Sequence, residues 1–422
     1  MKKQGILLLC CFIVFSVLMS GCGSSTISSS SSSAAATDSS TKPAEKVHIT
    51  YEITHTPSLF NEFKADFEKK NPNIIVDITY MDDNNNNQAA KLAAGTAPDI
   101  IGVDANKIKG GYALDLTDQP FIDRLTDSSK LGVSGADGKI YKVPFDTWFQ
   151  GIMYNKKIFA DNKIEVPETW AEFIAVCDKL KAAGIKPISA GNKAGDVLGK
   201  EALGVILSTG AVIEPDIESG KTTYSEKWKA GLTEWYKIVS AGYEGTDSFG
   251  MTVDDMINEF LTGKAAMMDM GNWQVADMHK KAPDLDFDTM PYPSVEAGQD
   301  RWIIGGSGGG VGVYSQSKHQ KEALAFIDYV LTPEGNALYI KASQGGPSVK
   351  GVDFEIDPAM SGCVEAINAG RVYAPWESLK KIGGGAFIRT WFKTHQELIA
   401  GSKTVDEALK AMDDYVASQL NQ

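Results

Sequence analysis

Four tryptophans lie beside turn-forming or polar residues instead of on the apolar stripe of a predicted helix. They are Trp148, Trp273, Trp302 and Trp376. An indole at such a place can present a flat apolar face to the C–H side of a sugar ring, while a neighbouring Asp or Asn binds the hydroxyls. A partly buried packing tryptophan is the alternative for each of them. At Trp273 the binding interpretation is favoured, because Gly271 permits close approach and Asn272 adds a polar group.

The stretch GKIYKVPFDTWFQGIMYNK, residues 138–156, is predicted to contain two short strands joined by an unusual connection. The apolar run 140–143 predicts a strand, which Pro144 must end because proline cannot donate to a strand ladder. A second strand is predicted around residues 152–154, and the chain between the two is polar and aromatic where a plain connector would be small. We interpret this stretch as a crossing between two lobes, with Asp146 and Trp148 facing the gap. An ordinary pair of interior strands is the alternative.

Patterns typical of catalysis or metal binding are incomplete. The run GGSGG fits G-x-S-x-G around Ser307, but a nucleophile elbow needs a helix directly after the serine, and the extended run VGV follows instead. The five histidines have no metal-ligand spacing among them. We therefore predict neither a metal nor a cofactor. Carboxylates are numerous, so a glycosidase pair could be present, although no pattern singles one out.

The length of the chain and the order of its predicted elements indicate an α/β protein with two lobes. A chain of 422 residues is too long for one ordinary core. A strand at 47–53, a helix with Phe60, Phe63 and Phe67 on one face, and a strand at 74–80 form a βαβ unit. This order favours a parallel sheet that is covered by helices.

The later segments are predicted to be mostly helical. Thr169 with Glu172, and Thr404 with Glu407, have the spacing of capping boxes at helix starts. Cys177 lies on the apolar stripe of the first of these helices, which predicts a buried free thiol. The tryptophans expected in the core are Trp170, Trp228 and Trp235.

The first 46 residues are predicted to be a signal peptide and a tether. Lys2 and Lys3 precede an apolar run, and residues 19–22, MSGC, close it. This arrangement resembles the signal of bacterial lipoproteins, in which residues 1–21 would be removed and Cys22 would be diacylated. Residues 22–46 are rich in Ser and Ala and should form a flexible tether.

The charge of the chain argues against nucleic acid as a partner. The formal net charge is −13, and residues 1–21 contain two lysines and no acidic residue, so their removal changes it to −15. A negative surface repels the phosphate backbone and favours solubility outside the cell.

Seven phrases occur in order across residues 47–422: FEKKNPNIIVDI, LAAGTAPDII, KIYKVPFDTWFQGIMYNKKIF, VPETWAEF, GKAAMMDMGNW, ALAFIDYVLTPEG and SKTVDEAL. Together they resemble the extracellular solute-binding proteins of bacterial ABC importers, in the sugar-binding branch that includes maltose-binding protein. The resemblance implies an α/β periplasmic-binding-protein fold of class II, in which two hinged lobes enclose the ligand. Lobe 1 would comprise residues 47–148 and 306–347, and lobe 2 residues 149–305 and 348–422.

The resemblance, together with the tryptophan pattern, also implies a set of ligand contacts. His55 and the loop 104–107 would form the face of the first lobe, and Trp273 would stack on the sugar from the second lobe. Gly306 lies at the second crossing. Arg389 lies in residues 383–391, where maltose-binding protein has an aromatic-rich segment and this chain departs from it. The residues expected to contact ligand are His55, Asp104, Asn106, Asp146, Trp148, Asn272, Trp273, Trp302, Gly306, Trp376 and Arg389.

We therefore expect a receptor and not an enzyme. It would capture a sugar or oligosaccharide by hinge closure and deliver it to the membrane permease of an ABC transporter. It would be a monomer, held by its lipid on the outer face of the cytoplasmic membrane of a Gram-positive-type bacterium. Two alternatives stay open: a surface glycoside hydrolase, and a binding protein for a non-sugar solute such as a polyol phosphate or a peptide.

The substitution Cys22→Ser tests the predicted anchor. Without a thiol, residue 22 cannot be diacylated, so we expect the variant in the aqueous phase of a detergent partition or retained as precursor, whereas the unaltered protein enters the detergent phase. Equal partitioning of the two proteins into detergent would contradict the prediction.

Overall fold

The computed structural model describes residues 46–53, 56–81, 85–130, 132–135, 137–193 and 197–421. The predicted signal peptide, Cys22 and almost all of the tether lie outside the described residues. The chain divides into residues 1–44 and a second unit, residues 45–422. All of the described residues belong to the second unit.

The described residues contain ten strands and sixteen helices. The strands are β1 (Val47–Ile53), β2 (Ile74–Tyr80), β3 (Ile100–Gly102), β4 (Thr147–Asn155), β5 (Lys186–Ser189), β6 (Ala265–Gly271), β7 (Phe287–Met290), β8 (Ile303–Ser307), β9 (Val311–Val313) and β10 (Val372–Tyr373). The helices are α1 (Asn61–Lys70), α2 (Asn85–Ala94), α3 (Ala105–Lys109), α4 (Lys156–Asp161), α5 (Trp170–Ala182), α6 (Val197–Gly210), α7 (Glu214–Glu218), α8 (Tyr224–Trp235), α9 (Lys237–Ala241), α10 (Val253–Leu261), α11 (Asn272–Lys281), α12 (Gln320–Val330), α13 (Pro333–Ser343), α14 (Val364–Asn368), α15 (Gly384–Ile399) and α16 (Val405–Leu420).

The first sheet has the strand order β2-β1-β3-β9. Strand β1 pairs in parallel with β2 and β3, and β9 joins β3 in the antiparallel direction. The predicted βαβ unit is thus confirmed. Helix α1 covers it with Phe63 and Phe67, which pack against Phe326 and Tyr329 of α12. Helix α12 therefore returns to the first sheet although it lies far along the chain.

The second sheet has the order β10-β8-β4-β6-β5, and β7 also pairs with β4. Strand β4 is central and antiparallel to β6, β7 and β8. The predicted capping boxes at Thr169 and Thr404 are confirmed, and Cys177 is a buried free thiol as predicted. The fully buried tryptophans of this lobe are Trp170, Trp228, Trp235 and Trp391.

The stretch 138–156 differs from its prediction in one respect. No strand forms over residues 140–143, where Ile140 and Val143 make only isolated bridges. The N–H and the carbonyl of Val143 are hydrogen-bonded to the carbonyl and the N–H of Val311. Pro144 has no N–H and prevents further pairing. Strand β4 begins only three residues later, so Trp148 lies on a strand and not in a connector.

The chain passes three times between the two sheets. The first passage follows Val143, the second joins β8 to β9, and the third lies between Val349 and Ala359, which pack in different hydrophobic clusters. The predicted lobe boundary at 347/348 therefore falls shortly before the last residue that packs with the first sheet. The architecture is two α/β lobes joined by three crossings.

Two further properties of the described residues concern membrane spans and metal sites. None of the helices in the described part of the chain combines the length and the apolar character needed to cross a bilayer. In the same residues, no group of His, Cys, Asp and Glu side chains is arranged to hold a metal ion.

One buried histidine gives the fold a testable pH dependence. His395 of α15 is fully buried, its ring lies 4.6 Å from that of Trp235, and neither ring nitrogen has a partner among the described residues. Burial lowers the pKa of His395 to about 3. Between that value and the ordinary 6.5 the unfolded chain binds more protons than the folded one. This group therefore destabilises the fold as the pH falls.

We expect His395→Leu to remove this contribution. The free energy of unfolding of the unaltered protein, relative to the variant, should fall by about 1.4 kcal/mol for each pH unit between pH 6 and pH 4. Urea unfolding of both proteins at pH 4, 5, 6 and 7 measures it. The changed packing alters the offset between the two curves and not their slopes, so parallel curves would contradict the prediction.

Candidate functional site

A cleft of about 420 Å³ lies between the two lobes at the crossings. The first lobe lines it with the carboxyl ends of β1 and β3 and the start of α3, and the second lobe lines it with the first turn of α11. The glycine run 308–310 and the start of β4 form its floor. Polar groups lie on one side of the cleft and an indole on the other.

Trp273 presents the exposed aromatic face of the cleft. Strand β6 ends at Gly271 and α11 starts directly, so Trp273 stands in the first helical turn. Its side chain is 37% exposed, unlike the buried tryptophans of the core. A Cβ on Gly271 would lie 1.9 Å from the indole ring, so only glycine lets the ring fold back over the end of the strand.

Trp148 lines the cleft as expected and is half-buried, with its ring in contact with two other indoles. Trp376 stacks on it with ring centroids 5.8 Å apart and an interplanar angle of 18°, and Trp273 meets it edge-on at 5.9 Å. Its indole N–H donates to Oε1 of Glu377 at 3.3 Å. Trp148 therefore lines the cleft and also contacts the edge of Trp273.

Lys200 of α6 reaches both indoles of the cleft. Its Nζ lies 5.7 Å from the ring centroid of Trp273 and 6.0 Å from that of Trp148, within cation–π range. Sequence reasoning missed this residue, because a single lysine on a helix gives no signal of what lies opposite it.

The amide of Asn272 is used inside the protein. Its Oδ1 accepts the N–H of Phe149 at 2.9 Å, and its Nδ2 donates to the carbonyl of Gln344 at 2.8 Å. Asn272 therefore ties β4 to the end of α13. Asn272 also lines the cleft, so its predicted ligand contact stays a prediction beside this positioning role.

On the first lobe, Asp104 lies at the rim of the cleft as the N-cap of α3. It accepts the backbone N–H of Lys107 at 2.9 Å and pairs with the ammonium of Lys107 at 2.9 Å. Burial acts to raise the pKa of Asp104, but these bonds outweigh it and lower the pKa. Asn106, in the same helix, is exposed and does not line the cleft.

Asp146 lies on the floor of the cleft at the first crossing. Its carbonyl accepts the N–H of Gly308 at 2.9 Å. A Cβ on Gly308 would lie 1.8 Å from its carboxylate, and one on Gly345 would lie 2.6 Å from its Cβ. Glycine at both positions therefore makes the space for this acid between two crossings.

Several expected contacts lie elsewhere. Trp302 packs against the core of the second lobe, where its carbonyl accepts the N–H of Tyr292. Trp376 touches the cleft only through Trp148, and Arg389 is exposed on α15, away from the lining. His55 lies outside the described residues. The sequence could not distinguish a tryptophan that lines the cleft from one that packs elsewhere, because both can lie beside a turn.

A second cavity of about 260 Å³ lies behind β4. Gly306 lines this rear cavity and not the cleft, as does Glu377, which sequence reasoning missed. Burial raises the pKa of Glu377 to about 7, against the opposing influence of its N–H donors and of Lys142. Apolar side chains of the second lobe supply most of the remaining wall.

The serine of the G-x-S-x-G match is not arranged as a nucleophile in the described part of the chain. The hydroxyl of Ser307, the residue that fits G-x-S-x-G, has no hydrogen-bond partner among the described residues. No base is therefore in place to take its proton. The arrangement suits binding between two lobes.

Comparison with known proteins agrees with this geometry. The model of the family described as bacterial extracellular solute-binding protein matches residues 53–337. The chain is 24% identical over 329 residues to the multiple sugar-binding protein of Streptococcus mutans, covering 74% of this chain and 78% of that protein. It is 25% identical over 330 residues to the melibiose/raffinose/stachyose-binding protein MelE of Bacillus subtilis, covering 74% and 76% respectively.

A solved structure shows the same fold. A family 1 extracellular solute-binding protein of Bifidobacterium longum subsp. infantis has a TM-score of 0.73 at 24% identity, over 89% of this chain and 100% of that one. The family model covers well over half of the chain, from β1 to α13. This chain therefore belongs to the bacterial extracellular solute-binding proteins.

Proposed function

We propose that this protein is the sugar-binding receptor of an ABC importer, and that it delivers a mono- or oligosaccharide to a membrane permease. The observation that carries the proposal is the exposed indole of Trp273, which faces the charged groups of the opposite lobe across a cleft of about 420 Å³. The flat apolar indole matches the C–H face of a sugar ring, and the charged groups opposite it match the sugar hydroxyls. The two curated relatives are named for sugars.

In the proposed complex the sugar bridges the lobes. Its C–H face stacks on Trp273, and its hydroxyls bond to Asp146 and Asp104, while the ammonium of Lys200 is near enough to the same indole to reach a ring oxygen. A ligand that touches both lobes favours the closed arrangement, because only that arrangement makes all of the contacts. His55 stays a proposed contact on the first lobe.

The proposed setting is the outer face of the cytoplasmic membrane. A lipid on Cys22 and the tether of residues 22–46 would hold a monomeric receptor beside its permease, in a Gram-positive-type cell. The lobes would be residues 47–148 with 306–347, and 149–305 with 348–422. No bond in the ligand is made or broken.

A ligand screen tests this function. We expect melibiose, raffinose or stachyose to raise the midpoint of thermal unfolding, since a ligand at about 100 times its dissociation constant stabilises the fold by about 2.7 kcal/mol. Glycerol phosphate and trialanine test the non-sugar alternative in the same plate. Chromatography of the sugar after incubation tests the hydrolase, because a receptor returns its ligand intact. Stabilisation by glycerol phosphate or trialanine alone, or release of a shorter sugar, would refute the proposal.

The substitution Trp273→Ala tests the stacking role. Loss of a large flat apolar contact should weaken sugar binding by about 1–3 kcal/mol, which corresponds to an affinity loss of about 5- to 150-fold. Phe249→Ala is the matched control, because Phe249 is an aromatic residue of the second lobe that is 46% exposed and does not line the cleft. Calorimetry should find the control within twofold of the unaltered protein. Equal affinity of the two variants would contradict the stacking role.

A further inference from the structure

Glu377 occupies the joint between the lobes without being a proposed ligand contact. It ends the short turn Pro375–Glu377 before α15. Its Oε2 accepts the backbone N–H of Ser307 at 2.8 Å, in addition to the bond that Oε1 receives from the indole of Trp148. A Cβ on Gly306 would lie 2.2 Å from Oε2. One carboxyl group therefore connects β4, β8 and the turn, in a space that glycine leaves open.

We propose that Glu377 is a positioning residue of the ligand site: its ionised carboxylate holds Trp148 in the orientation that supports Trp273, and protonation releases that hold. The inference rests on the proposed function, because binding of sugar to Trp273 is what the orientation would control.

The hydrogen bonds at this carboxyl group favour its ionised form. Both partners, the N–H of Ser307 and the indole N–H of Trp148, are donors, and a carboxylate accepts from both more strongly than a neutral acid does. In the carboxylic acid, the protonated oxygen is the poorer acceptor, so the bond to that oxygen is weakened. The bond from Trp148 is the longer one and should yield first.

The surroundings place the titration of this group near neutral pH. Burial raises the pKa of Glu377 to about 7. The charged or titratable groups that face it are Lys142, from the segment before the first crossing, and Tyr373 of β10. The hydroxyl of Tyr373 donates in turn to the buried carboxyl of Glu214 on α7. Because Glu377 lines the rear cavity, protons can reach it without opening of the lobes.

Protonation of Glu377 would affect the cleft through the ring contacts of Trp148. Trp148 lies between Trp376, the residue directly before Glu377, and Trp273, the exposed platform. A tilt of Trp148 must therefore move the edge on which Trp273 rests. No other part of either lobe needs to change.

The direction and size of the pH effect on sugar affinity follow from the fraction of the protein that can bind. If only the ionised form supports tight binding, that form makes up about a tenth of the protein at pH 6 and about nine tenths at pH 8. The apparent dissociation constant for sugar then rises about tenfold from pH 8 to pH 6.

Calorimetry with raffinose, or with stachyose if raffinose does not bind, tests this on three proteins at pH 6, 7 and 8. The unaltered protein and Glu244→Gln should both show the tenfold change. Glu244 is the matched control, since it is a buried carboxyl of the second lobe whose pKa burial also raises to about 7, outside both cavities. Glu377→Gln, which mimics the protonated form, should bind well over tenfold more weakly than the unaltered protein at pH 8 and show no pH dependence. A flat profile of the unaltered protein, or an unchanged slope in Glu377→Gln, would overturn the inference.

A measurement without sugar separates this inference from the proposed function. In protein labelled with ¹⁵N-tryptophan, the indole N–H signal of Trp148, assigned with Trp148→Phe, should titrate with a midpoint near pH 7 and should not titrate in Glu377→Gln. If no sugar binds, the proposed function fails while this titration still decides the role of Glu377. A Trp148 signal that is insensitive to pH between 6 and 8 would overturn the inference.

Discussion

Two hydrogen bonds between Thr147 and Gly346, each about 3 Å long, hold the first crossing against the segment that leads to the third. A Cβ on Gly346 would lie 2.6 Å from the hydroxyl oxygen of Thr147, and Gly308 and Gly345 leave the same kind of space around Asp146. The connection between the lobes at Thr147 and Gly346, called the joint here, is therefore held by main-chain hydrogen bonds. The two lobes can be rigid because their relative position depends on these few bonded segments and not on packing of one core against the other.

The two lobes bring different chemistry to this joint. The first contributes charged groups at the ends of its strands and at the start of α3, where a helix N-terminus favours the carboxylate of Asp104. The second contributes indoles, one exposed and two stacked behind it. Neither surface encloses a ligand alone, so the site exists only between lobes. In the proposed mechanism this division makes hinged lobes necessary, since a ligand is enclosed only when the two surfaces meet, and the segments that join the lobes also carry Trp148 and Asp146.

Local patterns in the sequence predicted the local parts of the structure. The βαβ unit, the capping boxes and the buried tryptophans follow from periodicity and from spacings of three or four residues. The contacts that define the site have no such pattern. Trp148 and Glu377 are 229 positions apart, and the amide of Asn272 is used by backbone groups that no spacing connects to it. The neighbours Gly271 and Asn272 favoured Trp273 in the sequence, but only the fold shows that the ring of Trp302 packs against the core.

The buried carboxyls of the second lobe have a consequence for the protein outside the cell. Burial raises the pKa of Glu214, Glu244 and Glu377 to about 7. Between their ordinary pKa and that value the folded protein binds more protons than the unfolded chain, so these three groups favour the folded state as the pH falls. Over most of this range they oppose the contribution of His395. Mild acid should thus stabilise the folded protein, because the native state takes up protons that the unfolded chain binds only weakly.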